Sequence, residues 1–370
     1  MRYLVAPDKF KGTMAALEVA EAIASGLRDG DPTAEVDLLP IADGGEGTAK
    51  LLAAQLNADT HTVDSFDPLG RRVTAEYFTK GTDAIFDVSE ASGLWRVRPT
   101  DRAPLRSSTY GSGVIVRHII ESGLQQIFIG LGGSATVDAG LGMAAALGYQ
   151  FYDHDNRLIE PLPSAFSEIQ RIQAPAIACI AKVIALADVE TVLTGPEGAT
   201  WTFGPQKGLT HDEVSALDTN IARLTCLVER DLGTNFSNTP GAGAAGGFGY
   251  GVLTFLKGQI MPGFNVVAEK VGLRARMAST DIVITGEGRL DFQTLQGKAP
   301  YGVASLAKQL DKPVWAIGGV IEDRSLLAGH FDHLSSLVSD DTTLEQAMKN
   351  PKSLLRQRAF ELCRNLVGRP

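Results

Sequence analysis

Cysteine is scarce: the 370 residues include three, Cys179, Cys226 and Cys363, all far apart. An odd, scattered set gives neither a disulfide framework nor a zinc spacing, and the expectation is buried thiols in a reducing cytoplasm. Positive charge is in deficit. Lys and Arg number 34 against 43 Asp and Glu, for a net charge of −9. No basic stripe appears, which argues against nucleic acid or an anionic membrane as a partner. The longest apolar stretch, 174–187, is interrupted by Pro175 and Lys182 and falls short of the ~18 residues of a membrane span. The opening run Tyr3–Pro7 stops at Asp8 and Lys9, too soon for a signal-peptide core. A cytoplasmic protein is expected. Two catalytic signatures are also missing. No GxSxG elbow is present, and the Gly297-Lys298 pair lacks both the first glycine and the Ser/Thr of a Walker A loop. The six histidines include His330 and His333, which have no third metal ligand near them.

What is abundant is glycine, 40 residues of 370 against a usual share of ~7 %. The glycines cluster instead of following a collagen period, which points to backbone-lined loops. A hydrophobic share of 44 % with 21 % charged residues fits an ordered globular chain. Tyr3–Ala6 reads as a strand, and Thr13 as the N-cap of a helix with Met14, Leu17, Ala20, Ala24 and Leu27 at helical spacing. A second strand-loop-helix unit follows over 35–57. The far end repeats the pattern: strand 281–285, loop 286–291, a helix to about Leu310, strand Pro313–Ile317, then helix Ser353–Leu366. Neither end can build a self-sufficient sheet, because about three covered strands are needed. The two ends are therefore expected to pair in a parallel, Rossmann-like or flavodoxin-like α/β sheet, 1–65 plus 281–370. Residues 66–280 would be an inserted α/β domain. Its entry, Arg72–Phe78, alternates polar and apolar like an antiparallel strand, after a hinge-like turn Asp67-Pro68-Leu69-Gly70.

In open α/β sheets, ligands bind beyond the carboxyl ends of the strands. Three polar loops fall there: Asp8-Lys9-Phe10-Lys11-Gly12, Asp43-Gly44-Gly45-Glu46-Gly47-Thr48 and Gly286-Glu287-Gly288-Arg289-Leu290-Asp291. Any one of them is an ordinary cap or turn; three at one sheet edge are expected to meet in one crevice. In the inserted domain, Gly132-Gly133-Ser134-Ala135-Thr136 follows an apolar run and offers successive unhindered N–H groups, an anion cradle. Gly241–Gly246 spells GxGxxG, but loop-like residues precede it where a Rossmann fingerprint needs a strand. Gly204-Pro205-Gln206-Lys207-Gly208 is a tight loop whose Lys207 can reach a phosphate.

Taken in order, these stretches resemble the type-1 glycerate kinases. The matching residues are Ala6-Pro7-Asp8 with Phe10-Lys11-Gly12, Ala42–Thr48, Ser108-Thr109-Tyr110-Gly111, Gly132–Thr136, Phe203–Gly208, Gly241–Gly249, Thr285–Asp291 with Gln293-Thr294, and Gly297-Lys298. The ordered set spans nearly the whole chain. Two departures stand out. The family's Asn-Pro is replaced after Asp188-Val189 by Glu190-Thr191, and Val137-Asp138-Ala139-Gly140 stands where Asn-Asp-Gly-Gly is frequent. The resemblance implies ATP-dependent phosphorylation of D-glycerate with Mg²⁺, 2-phosphoglycerate being favoured over 3-phosphoglycerate, by a monomer or homodimer without nucleic-acid or membrane partners. Phosphoryl transfer needs positioning and cancellation of charge more than covalent chemistry, and Mg²⁺ takes carboxylates, phosphate oxygens and water. On that basis Asp8, Asp188 and Lys11 are the expected catalytic residues, with Asp8 or Asp188 as general base and Lys11 on the transferring phosphoryl. Asp43, Glu46, Arg289 and Asp291 are expected to bind substrate, Arg289 gripping the carboxylate. Gly132, Gly133, Ser134, Thr136 and Lys207 are expected on nucleotide phosphates, and Glu287 and Asp138 on the metal. The two-domain layout implies hinge closure. The alternatives are a kinase of another small hydroxy acid, a dinucleotide oxidoreductase and a non-catalytic two-lobed solute binder.

Overall fold

The computed structural model describes residues 1–176 and 181–367, so Cys179 lies outside the described residues. In chain order the strands are β1 (Arg2–Val5), β2 (Glu35–Leu38), β3 (Asp59–Phe66), β4 (Arg72–Lys80), β5 (Asp83–Asp87), β6 (Gln126–Gly130), β7 (Gln150–Tyr152), β8 (Arg171–Gln173), β9 (Lys182–Leu186), β10 (Gln259–Met261), β11 (Ile282–Leu290), β12 (Val314–Ile321) and β13 (His333–Ser336). Packing divides the chain into two units, Met1–Asp43 with Phe264–Pro370, and Gly44–Gly263. Residues 44–65, grouped with the chain ends in the sequence reading, pack in the second unit. The helix Thr48–Leu56 lies on β4 and β5, and β3 pairs with β4.

In the first unit the two chain ends build one five-stranded sheet, order β13-β12-β11-β1-β2, parallel throughout. Tyr3, Leu4 and Val5 are all fully buried, the continuous apolar run of a strand covered on both faces. Tyr3, Val5, Ile284 and Ile317 share a core with Ile23 and Leu27 of helix Ala16–Gly30 and Leu355 and Ala359 of helix Pro351–Val367. The two helices meet at Gly26, where a Cβ would lie 2.0 Å from the Arg356 carbonyl oxygen. The chain runs from β1 to β2 on one side and from β11 to β12 on the other, so the topological switch point lies between β1 and β11.

The structure departs from two local expectations. Helix Ala16–Gly30 is capped by Ala15, whose N–H donates to the Glu18 carboxylate at 2.8 Å. Thr13 instead donates its hydroxyl to Phe10 O at 2.9 Å within a tight turn. Residues 286–290 are strand, not loop: β11 continues to Leu290 in register with Ile321 of β12. Gly286 makes this possible, since a Cβ there would stand 2.1 Å from the Ile317 carbonyl oxygen.

The second unit carries a six-stranded sheet, order β10-β9-β6-β5-β4-β3. β3, β4 and β5 are antiparallel, as the alternation in Arg72–Phe78 predicts, and β5, β6, β9 and β10 run parallel. Asp67–Gly70 is the β3–β4 hairpin turn within this unit, not a hinge between domains; Asp67 N donates to Arg71 O at 2.8 Å. Phe86, Ile127, Ile129, Phe151, Phe166 and Phe248 fill the core, together with Leu217, Ile221 and Leu224 of helix His211–Leu232. That helix opens with a capping box, Thr210 with Glu213. Gly241–Gly246 follows no strand and runs into helix Ala244–Phe255, where Ala245, Gly246 and Gly247 hold positive φ of 54°, 70° and 90°. Cys226 is exposed and Cys363 buried, so the expectation of buried thiols holds for one of the two described. Among the described residues no helix is long and apolar enough to cross a membrane.

Candidate active site

The first unit gathers carboxylates at its switch point. Asp8 follows β1, and its N–H donates to Gly286 O at 2.8 Å, extending the ladder to β11. Its side chain is 6 % exposed. Burial pushes its carboxyl up to about 8; the Asp43 and Glu287 charges add to the rise, while Lys9 and its N–H pull the other way. Lys9 N donates to Asp8 Oδ1 at 2.6 Å. Glu287 sits on β11, also buried, and burial pushes it up to about 7. Lys298 Nζ, 3.7 Å from Glu287 Oε1, and the Thr294 hydroxyl, donating to that oxygen at 2.6 Å, oppose the rise; Asp43 and Asp291 strengthen it. Asp43 follows β2 and is half-buried. Two buried carboxyls thus face a third, half-buried one whose charge raises both. That donor set fits a hard divalent cation such as Mg²⁺.

Other expected residues of this unit stand differently. Asp291 caps the turn Phe292–Gln296, its Oδ1 accepting from Gln293 N at 2.9 Å and Thr294 N at 3.2 Å. It therefore holds Thr294, which holds Glu287. Arg289 is largely exposed and pairs with Glu322 at 3.3 Å. Lys11 is exposed and crosses β11 where Gly288 leaves room; a Cβ there would approach Lys11 N to 3.4 Å.

The second unit carries a glycine-rich loop at the carboxyl end of β6. Gly132 and Gly133 are demanded by a close neighbour. A Cβ on Gly132 would lie 2.3 Å from Glu46 N, and one on Gly133 2.4 Å from Glu46 Oε2. Glu46 thus belongs with this loop, while Asp43 belongs to the first unit. The N–H groups of Gly132, Gly133 and Ser134 have no acceptor among the described residues. Lys207, at the end of helix Ala199–Lys207, is 3 % exposed. Its Nζ donates to Ser134 Oγ at 2.9 Å and Thr136 O at 2.7 Å. Burial pulls the ammonium down to about 7, and Asp138 opposes that. The Thr136 hydroxyl is buried without a partner. Asp138 is fully buried, with both oxygens engaged: Oδ2 accepts from Thr109 N at 2.7 Å, Thr109 Oγ1 at 2.8 Å and Gly142 N at 3.2 Å, and Oδ1 from Gly140 N at 3.2 Å. Burial pushes its carboxyl up against those bonds. Asp188, after β9, is half-buried and accepts from Gly263 N at 2.7 Å.

Sequence reasoning passed over Asp87, Thr109, Thr294 and Lys298 as working residues. Asp87, at the end of β5, accepts from Gly47 N at 2.8 Å and Ala49 N at 3.1 Å. It supplies the cap that Gly47 lacks for helix Thr48–Leu56. The strand carrying Asp87 is 40 residues distant from that helix start, so local spacing gives no sign of it.

The fold and these loops define a two-unit α/β protein with buried carboxylates at a parallel-sheet switch point and a glycine-rich N–H loop on the second sheet. The family model for the glycerate kinase family matches residues 3–367. The glycerate kinase of Bacillus subtilis is 38 % identical over 373 residues, covering 99 % of this chain and 98 % of its own. The glycerate 2-kinase of Escherichia coli K12 is 35 % identical over 359 residues, 94 % of this chain and 93 % of its own. A crystal structure from Salmonella typhimurium LT2, of a protein provisionally named glycerate kinase 2, superposes with a TM-score of 0.85 at 38 % identity, covering 100 % of this chain and 98 % of that one. The chain belongs to the glycerate kinase family.

Proposed function

We propose that this protein is an ATP-dependent glycerate kinase that phosphorylates D-glycerate at O2, working in the cytoplasm as a monomer or homodimer. The observation that carries the reading is the pair of buried carboxyls Asp8 and Glu287, with Asp43 beside them, at the switch point of a chain in this family. A kinase must neutralise phosphate charge beside an acidic substrate, and clustered carboxylates that can hold a divalent cation suit that task. Asp8, Asp43 and Glu287 would hold Mg²⁺, which when bound shields phosphate oxygens and favours ionised carboxyls.

The other roles belong to the chain itself. Ionised Asp8 accepts the proton of the substrate hydroxyl as its oxygen attacks the γ-phosphorus and the bond to the bridging oxygen of ADP breaks. Asp8 is preferred to Asp188 as base because burial beside Asp43 and Glu287 raises its affinity for a proton. Lys11, with no partner of its own among the described residues, meets the transferring phosphoryl. Arg289 exchanges Glu322 for the glycerate carboxylate, a better fork partner when bidentate. The N–H groups of 132–134 bind nucleotide phosphate. Lys207 supports that loop from below through Ser134 and Thr136 and is a positioning residue. Asp138 is likewise assigned to holding the loop and not to the metal, since both its oxygens are engaged; Asp291 positions Thr294.

An ADP-release assay with D-glycerate and MgATP tests the reading, and ³¹P NMR of the product distinguishes O2 from O3. Release with another hydroxy acid but none with glycerate would replace the substrate; NAD(P)H binding without ADP release would replace the class. The 2-phospho assignment is favoured by the similarity to the Escherichia coli glycerate 2-kinase.

A further inference from the structure

The second unit contains a cavity of about 520 Å³ that the roles above leave unused. That volume falls within the ~300–1,000 Å³ range of small-molecule sites and exceeds what a three-carbon acid fills. Its walls come from the β3–β4 turn, the segment 101–110 and residues 160–162. Phe66 and Tyr110 stand edge to face on one wall, ring centroids 5.8 Å apart, and Leu69 and Leu162 add apolar surface.

The charges in the wall are unequal in their commitments. Asp67 accepts from Leu69 N and Arg71 N at 2.9 Å each, and Asp101 pairs with Arg98 at 2.8 Å. The Arg106 guanidinium is exposed to the cavity side of the loop and makes no ion pair or hydrogen bond among the described residues; the same holds for the Glu160 carboxylate. The cavity thus offers an aromatic face, one uncommitted guanidinium and one uncommitted carboxylate. A ligand that satisfies all three has a flat ring, an anionic end and a hydroxyl or amino group. A nucleoside phosphate has these parts.

The cavity wall is also tied to the glycine-rich loop. Ser108 and Tyr110 flank Thr109, whose N–H and hydroxyl both donate to Asp138. Asp138 in turn receives Gly140 N and Gly142 N at the start of helix Leu141–Ala146, which follows the loop whose N–H groups at 132–134 have no acceptor among the described residues. Gly142 touches the wall directly: a Cβ there would lie 2.2 Å from Ser108 Oγ. We infer that this cavity is the nucleoside site of the enzyme, with the base on Tyr110 and Phe66, a ribose hydroxyl or base amino group on Glu160, and Arg106 on phosphate. The inference rests on the proposed kinase reading.

Calorimetric titration with ADP, adenosine and inorganic phosphate tests it on wild type, Arg106→Ala, Tyr110→Ala and Tyr110→Phe. Arg106→Ala should weaken ADP about tenfold or more and leave adenosine within twofold. Tyr110→Ala should weaken both by about tenfold, and Tyr110→Phe should restore both, because the ring carries the contact. In turnover the KM for ATP should rise in step, with the KM for glycerate within twofold. Circular dichroism confirms that each variant is folded. Glycerate-dependent ADP release by wild type, with ADP affinity within twofold in both alanine variants, overturns the cavity assignment alone. A rise in the glycerate KM without one for ATP also overturns it. No ADP release by wild type, together with the predicted losses of ADP affinity, overturns the glycerate reading and leaves the nucleoside site standing.

Discussion

Asp8→Asn should make the ligand-free protein more stable at pH 8 while disabling it. In the folded chain Asp8 holds its proton up to about pH 8, against an ordinary 3.8. Between those values the native state keeps a proton that the unfolded state releases, so stability falls as pH rises across that window. At ~1.36 kcal/mol per pH unit the ceiling of the cost at pH 8 is about 6 kcal/mol. Asn cannot ionise, so the variant escapes this cost, but its amide remains buried and needs a partner. A net gain of about 1–3 kcal/mol at pH 8 is expected, or roughly 3–9 °C in thermal midpoint for a unit of this size. The gain should largely vanish near pH 4, where the unfolded wild-type chain also begins to take up the Asp8 proton. Millimolar Mg²⁺ should raise the wild-type midpoint at pH 8 and narrow the gap, since a cation binding the folded state stabilises it. Turnover should drop about 10²-fold or more with the base gone. Thermal melts at pH 4 and pH 8, with and without Mg²⁺, read all of this. A variant no more stable than wild type at pH 8, or equally stabilised at both pH values, refutes the burial and repulsion argument.

Gly246→Ala should cost about 3 kcal/mol or prevent folding, because φ is +70° and the new Cβ would sit 1.9 Å from Thr136 O; a urea melt of the variant checks this. Lys207→Met keeps the bulk but removes the bonds to Ser134 and Thr136 O, and should raise the KM for ATP by about tenfold, with a smaller effect on that for glycerate. Since Lys207 titrates near 7 when folded, well below its ordinary 10.5, wild-type stability should fall as pH drops from about 10.5 to 7, and Lys207→Met should flatten that slope. Arg289→Ala should leave the thermal midpoint within about 2 °C, as befits an exposed pair, yet raise the KM for glycerate about tenfold; an unchanged KM removes Arg289 from the carboxylate.

Much was legible in the chain by itself. Buried β-rich runs such as Tyr3–Val5 and the alternating Arg72–Phe78 announce parallel and antiparallel strands, because side-chain period and burial are local properties. The need of each chain end for partner strands implied one shared sheet, and the ordered glycine and carboxylate motifs pointed to the family. Tertiary structure decided the rest. Residues 286–290 became strand only because β12 was there to pair with them, and backbone hydrogen bonding to a distant partner leaves no mark on local composition. Asp138 and Asp291 look like Asp8 as letters. Packing turned the first two into acceptors for loop N–H groups and left Asp8 in a dry place beside Asp43 and Glu287. A carboxylate's role depends on its water and its neighbours, and both are set by three-dimensional proximity, not by position along the chain.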